Sequence, residues 1–398
     1  LQTLHLNMCT DLESLPNSIV NLNLLSVLDC SGCAKLTDIP SGIGCLSLLR
    51  ELSLSESGIV NLPESIVNLN LLSVLDCSGC AKLTDIPSDI GCLSLLRELS
   101  LSESGIVNLP ESIAHLSSLE SLDLSECKKL ECIPRLPPFL KQLKAFDCQP
   151  ITRVMSNSKE GGIFKFYFIT AQQLDPGAHA NIVDEARLRM IEDAYRSVFF
   201  CFPGSEVPHW FPFRVKGHSI TINTGSLNFC SDDRLIGFAL CVIFQLPDND
   251  DNIEVGYGYY SYWLKCKSDN GEHILFNDDR FESHVRLENP QRELHQDHTL
   301  LWKYNFNFQE MSGLGRMLPR ARSFTFNIFL FYNFVREIKS TVKKSSVKVK
   351  EFGICPLCTE EKDDNNAGAG DYSVSVKFSN NDIEEPSGSD VAWMEERL

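Results

Sequence analysis

No Asn-x-Ser/Thr glycosylation acceptor occurs anywhere in the 398 residues. An extracellular repeat protein of this length would ordinarily carry several. The sixteen cysteines therefore read as reduced thiols of a cytosolic or nuclear protein, not as a disulfide framework. Long apolar runs are also missing. Stretches such as FALCVIF (Phe238 to Phe244) fall far short of the roughly 20 residues a membrane-spanning helix needs. Positive charge is scarce: 36 Lys and Arg stand against 53 Asp and Glu, a net charge of -17. That balance argues against partners made of nucleic acid or anionic lipid. There is no G-x-x-x-x-G-K-[ST] phosphate loop, no G-x-S-x-G elbow and no H-E-x-x-H pair. Nucleotide hydrolysis, serine-nucleophile chemistry and zinc proteolysis thus lose their usual carriers. No catalytic residue, metal ligand or cofactor is expected in this chain. A signal peptide is absent, yet Leu1 is not a start methionine and falls inside a repeat, so the sequence is expected to be truncated at its front.

What the sequence does contain is a long duplication. Ser18 to Glu64 and Ser65 to Glu111 match at every position except one, where Gly42 becomes Asp89. The 47-residue offset hides two shorter units, opened by Leu22, Leu46, Leu69, Leu93 and Leu116. Each reads L-x-x-L-x-x-L-x-L or close to it, as in Leu46, Leu49, Leu52 and Leu54. This period and pattern define leucine-rich repeats, in which one short strand per unit stacks on its neighbours over a shared apolar core.

The duplication also carries two Cys-x-x-Cys pairs, Cys30/Cys33 and Cys77/Cys80. Such pairs can be zinc half-sites or redox couples. Here each cysteine has a structural slot. Cys30 and Cys77 occupy the inward strand position that Leu54, Leu101 and Leu124 hold elsewhere. Cys33 and Cys80 join Cys9, Cys127 and Cys148 three residues after the second apolar strand residue, where such repeats use Asn or Cys. Both pairs are expected to be core. Apolar-Pro steps such as Ile39-Pro40 and Leu62-Pro63 close each unit on its convex return.

Strand positions that face outward are expected to line a concave partner-binding surface. They include Asp29, Glu51, Glu56, Asp76, Glu98, Glu103, Asp123 and Glu126, with Lys144 as the first base and Phe146 beside it. A protein ligand with a basic patch would suit that face. The competing explanation is inheritance, since duplication copied four of the acids.

After the repeats, a connector holds IFKFYFI (Ile163 to Ile169) and a helix expected from about His179 to Arg196. Ile182, Ala186, Ile191, Ala194 and Tyr195 recur there at near-helical spacing. From Val198 onward, short apolar runs alternate with turns: FFCF, SITIN, LIGFALCVIFQL, YWLKC, LLWKYNF, SFTFNIFLFY and VKVKEFGI. Seven or more strands of this kind predict a β-sandwich. Beyond Thr359 the chain has eleven acidic against three basic residues and is expected to be disordered. Cys355 and Cys358 lack a second ligand pair at zinc spacing, and Lys343-Lys344 reads as a strand edge.

FCFPGSEVPHWF (Phe200 to Phe211), LIGFALCVIF, DHTLLWKY and VKVKEFGI resemble motifs of the C-terminal jelly-roll and immunoglobulin-like domain, C-JID. That domain follows the repeats in plant intracellular immune receptors of the TIR-NBS-LRR class. Within its entry motif are Pro203, Gly204, Ser205, Glu206, Pro208, Trp210 and Phe211. Read alone, Pro203-Gly204 and Pro208 punctuate a turn, and Trp210 and Phe211 are apolar anchors. Glu206 and His209 are a turn carboxylate and a surface histidine, with no third group to make them catalytic.

The resemblance implies an α/β leucine-rich-repeat solenoid, an all-β jelly-roll/Ig-like sandwich and a disordered acidic tail. The expected boundaries are 1-150 for the repeats, 151-197 for the connector, 198-357 for the sandwich and 358-398 for the tail. The function implied is recognition of a pathogen effector, or of a host protein it alters, with upstream receptor domains doing the signalling. The alternative is a truncated scaffold or decoy that binds a host partner without sensing.

Overall fold

A computed structural model describes residues 1–146, 148, 165–168, 174, 176–192, 198–223, 234–245, 256–269, 273–276, 285–287, 297–305, 322–336, 342–359 and 374–375. The repeats form as predicted. Three-residue strands β1 (Thr3–His5), β2 (Val27–Asp29), β3 (Glu51–Ser53), β4 (Val74–Asp76), β5 (Glu98–Ser100), β6 (Ser121–Asp123) and β7 (Gln142–Lys144) pair in parallel, each with the next. The middle residue of β2 to β7 is a buried leucine, from Leu28 through Leu143. Short 3-10 turns, such as Glu64–Asn68 and Glu111–His115, form the return. Pro63 and Pro110 precede them in extended conformation, with φ of -68° for each. A proline ring fixes that φ and lacks a donor the first turn would leave unused.

The parallel sheet does not stop at residue 150. It continues through β8 (Lys165–Tyr167) and β9 (Phe199–Pro203), both parallel to their predecessors. Strand β8 of the expected connector and β9, the first expected sandwich strand, therefore extend the sheet of the repeats. The leucine column turns aromatic at this end. Phe146 packs on Tyr167 at 5.6 Å, Phe166 on Phe200 at 5.7 Å and Tyr167 on Phe199 at 4.9 Å. The first compact unit comprises Leu1–Glu206, Ile243–Ile253 and Glu288–Lys303. Its last strand, β16 (His298–Asn305), runs antiparallel to β9 with Leu300 opposite Cys201.

Helix α1 spans Pro176–Glu192 and so starts earlier than expected. Residues 193–196 lie outside the described set. Ala178, Ile182, Val183, Ala186 and Met190 are buried, and so are Glu185 and Arg189 between them. Arg189 Nε donates to Glu185 Oε1 at 2.8 Å. Lys303 of β16 donates from Nζ to the Met190 carbonyl at 3.2 Å, near the C-terminal end of α1. This is a cationic group at the helix end where carbonyls lack partners.

The second unit comprises Val207–Val242, Glu254–Leu287 and Tyr304–Leu398. Its strands are β10 (Phe213–Lys216), β11 (Ser219–Asn223), β12 (Arg234–Gln245), β13 (Gly256–Ser268), β14 (His273–Phe276), β15 (Val285–Leu287), β17 (Ser323–Arg336), β18 (Val342–Ser346) and β19 (Lys348–Thr359). All seven runs singled out in the sequence fall on strands, β9 and β16 among them. One sheet has the order β11-β17-β13-β14, with β15 on β13 and β18 on β17. In the other, β10 pairs antiparallel with β19 and β19 neighbours β12. Phe238 of β12 meets Phe326 of β17 edge-on at 5.2 Å. Of the expected disordered tail, Cys358 and Thr359 end β19 and pair with Ser375 and Val374, and the rest lies outside the described residues.

Two outcomes follow. A fragment ending at residue 150 exposes the β7 edge with Phe146 and Cys148, and it should aggregate instead of unfolding cooperatively in circular dichroism. A soluble, cooperative 1–150 monomer would refute the continuous-sheet assignment. Removing one partner of the buried ion pair with Glu185→Ala should cost about 3–5 kcal/mol. The double change E185L/R189M should cost far less, as chemical denaturation would show.

Candidate protein-interaction surface

Registers across β1 to β7 define outward rows. One row runs Thr3, Val27, Glu51, Val74, Glu98, Ser121, Gln142, and the next runs His5, Asp29, Ser53, Asp76, Ser100, Asp123, Lys144. Acids alternate between the rows, giving a zigzag of Asp29, Glu51, Asp76, Glu98 and Asp123. Glu51 and Glu98 sit two strands apart, about 10 Å. That exceeds the Debye length of about 8 Å at physiological ionic strength. Their repulsion is screened, so the face tolerates its charge.

The aspartates have a local task as well. Asp29 Oδ1 accepts from Ser31 N at 3.0 Å and Ser31 Oγ at 2.6 Å. Asp76 does the same with Ser78 at 3.0 and 2.7 Å, and Asp123 accepts from Ser125 N at 3.0 Å. Each closes the turn that follows its strand. Partial burial pushes the Asp29 carboxyl up, but the Ser31 bonds and His5, 3.4 Å away, outweigh it and leave the pKa lowered. Lys144 meets Asp123 at 3.5 Å.

Two sequence expectations need correction. Glu56, Glu103 and Glu126 are not strand residues: they lie three residues past the strands at φ of 53°, 55° and 58°. Gly32 and Gly79 hold the same place in the intervening units, at φ 71° and 70°. The backbone needs a left-handed residue there because its amide must reach the next unit. Gly32 N donates to Ser55 O at 2.7 Å and Glu56 N to Ser78 O at 2.7 Å. Glycine adopts that conformation freely, whereas glutamate is strained in it. Phe146 is the second correction. It is only 5% exposed and packs on Tyr167, because the sheet continues past it.

The reading of the cysteine pairs as core holds. Cys30, Cys33, Cys77 and Cys80 are fully buried. Burial first, then the neighbouring Cys33 and Asp29, push the Cys30 thiol up to about 12. The second column forms a sulfur ladder: Cys33, Cys80, Cys127 and Cys148 donate to the carbonyls of Leu6, Leu54, Leu101 and Leu124 at 3.2, 3.1, 3.1 and 2.9 Å. Sequence reasoning missed that Ser57 and Ser104 fill this same column, with hydroxyls 3.4 and 3.5 Å from Cys80 and Cys127. Their spacing from Leu54 and Leu101 carried the signal. It also missed the exposed row Arg50, Arg97 and Lys141 beside the concave face. Lys141 holds Glu120 at 2.8 Å and lowers its pKa, with smaller help from Arg97.

In the P-G-S-E-V-P-H-W-F motif, Pro203 ends β9 and Gly204 N donates to Asp297 O at 3.0 Å. A side chain at Gly204 would strike Thr299 Oγ1 and crowd His179 Nε2. Ser205, Glu206 and His209 are exposed. Glu206 acts on His179, whose pKa is lowered because burial outweighs that carboxylate. Pro208, Trp210 and Phe211 are buried, with the two rings stacked at 4.2 Å.

Residues 202–363 match the C-JID domain. The Arabidopsis thaliana disease resistance protein RPS4B is 31% identical over 137 residues, which span 30% of this chain and 11% of that protein. Disease resistance protein RPS4 of the same organism is 28% identical over 139 residues, with the same coverage. The chain carries a C-JID match and is similar to part of plant disease resistance proteins. It thus spans a small part of the resistance proteins it matches. The leucine-rich repeat domain of the type III effector XopL is 27% identical and covers 38% of this region and 62% of that structure, with a TM-score of 0.33. The Leptospira interrogans repeat protein LIC12759 is 28% identical, covers 41% and 49%, and has a TM-score of 0.26. Among the described residues, no helix is long and apolar enough to cross a membrane.

The lowered Asp29 pKa gives a signed expectation. The stabilisation is present above the unfolded value of about 3.9 and is lost as pH falls through the lower folded value. Asp29→Asn should therefore lower the melting temperature at pH 7 and flatten its fall in acid. An identical acid limb in both proteins would contradict the turn-closing role.

Proposed function

We propose that this region recognises a protein ligand, a pathogen effector or a host protein that one alters, and that the bound state releases defence signalling by the rest of the receptor. The carrying observation is the outward face of the parallel ladder from β1 to β7. Its polar rows are exposed or half-exposed, while its leucines are buried. Glu51 and Glu98 are free of the turn-closing task that occupies the aspartates. They are the acids best placed to meet a basic patch on the ligand. The strands of the second unit act in this reading as the jelly-roll sandwich of the C-JID class, which presents its loops to the same ligand. Catalysis has no part in it.

The test is transient co-expression of a full-length receptor carrying this region with candidate effectors, read as cell death and as co-purification. Charge reversal at Glu51 and Glu98 should weaken ligand binding by roughly tenfold or more for two lost charge pairs and leave the fold intact. Unchanged affinity would remove the concave face from the proposal. Binding to a constant host protein with no effector-dependent response would favour the scaffold reading instead.

A further inference from the structure

Three residues before four successive strands, β2 to β5, a large apolar side chain stands in solvent. Leu24 is 61% exposed, Leu48 41% and Leu95 46%, and Leu71 of the intervening unit is half-exposed. Phe139, 53% exposed, extends the series at the far end. The residue after each, Leu25, Leu49, Leu72 and Leu96, points fully inward. The exposed leucines therefore form a ridge along the side of the solenoid, one per unit. Nothing in the repeat requires them, since the equivalent place in the next unit is Ser118.

The adjacent row defines what could cover the ridge. Its backbone is a ladder in which Arg50 N donates to Ser26 O, Ser73 N to Arg50 O and Arg97 N to Ser73 O, at 2.8 Å each. Arg50 and Arg97 are exposed and make no ion pair among the described residues. They flank the apolar ridge with positive charge held in no ion pair, though Glu120 lies within electrostatic reach of Arg97.

We propose that this ridge docks an amphipathic helix with an acidic flank, carried by a partner protein. The spacing selects a helix. Leucines recur every ~4.8 Å along the stack, and a helix turn rises 5.4 Å. Over the three steps from Leu24 to Leu95 the mismatch is about 1.8 Å by those values, less than a side chain. An extended strand presents same-face residues roughly 6.8 Å apart and drifts about 6 Å over the same distance. Arg50 and Arg97 lie two strands apart, about 10 Å, which matches acids seven helical residues apart. The footprint, about 24 Å by 10 Å, suits one helix. It falls well short of the ~800 Å² per partner of a stable dimer, so a second copy is the poorer occupant. The acidic row of Glu51 and Glu98 just beyond the arginines disfavours an anionic membrane.

The probe is a fluorescein-labelled synthetic 18-residue helix with leucines on one face and glutamates flanking it, compared with the same helix flanked by lysines. Anisotropy with the full chain should show the acidic helix binding at least about tenfold more tightly than the basic one. L48S/L95S should weaken it by about tenfold or more. R50E/R97E should invert the preference, a result that loss of folding cannot mimic. Equal binding of the two helices, or indifference to these exposed substitutions, would overturn the proposal. So would ridge-dependent self-association, or ridge-dependent sedimentation with phosphatidylserine vesicles without helix binding.

Discussion

A three-residue strand cannot stand alone, and everything in the repeat region follows from that. Each strand gains its hydrogen-bond partners only from the units on either side, and each inward leucine is dry only because the next leucine covers it. Burying one such side chain is worth about 1.5–3 kcal/mol, but only in a stack. The sulfur ladder has the same logic. Buried carbonyls beyond the strand need donors, and those of Leu6, Leu54, Leu101 and Leu124 accept from the thiol of the following unit. Cysteine is small enough for the column and apolar enough for the core, which is why the Cys-x-x-Cys pairs need no metal to explain them.

A stack must also end. Leucine gives way to Phe166 and Phe200 at the β8 and β9 positions, then β16 reverses direction against β9. Helix α1 is held by the Met190–Lys303 bond and by the close approach at Gly204. The cap is therefore assembled from segments far apart in sequence. The family motif marks this junction: Pro203 and Gly204 close the solenoid strand, whereas Trp210 and Phe211 anchor the second unit.

The repeats were legible because one signal, the leucine period, is repeated until chance is excluded. The strands after Val198 were legible because β-rich apolar runs stand between turn residues. What escaped was anything fixed by partners distant in the chain. The 31 residues between β8 and β9 hide that they are neighbours, and nothing local to FFCF says that its strand extends the solenoid. Phe146 misled for the same reason, since its place in the pattern is outward and only the neighbour β8 makes it buried. Glu56 misled differently. Its column alternates with Gly32 and Gly79, a cue to a left-handed backbone that a count of strand positions passes over.

The duplication shapes the surface more than the core. Because the copies match, acids and arginines recur every second unit, and the side of the solenoid is ruled into stripes: apolar ridge, basic row, then acidic zigzag. A ligand that reads one copy finds the same groups two strands along. It gains in effective concentration what it loses in distinction between registers. Register must then be set where the period breaks. That happens at β6 and β7, where Ser121 and Gln142 replace the valine and glutamate of the row, and where Lys144 pairs with Asp123 at the last acid of the zigzag. The repeated part of the face supplies attraction, and the irregular end decides what the attraction is for.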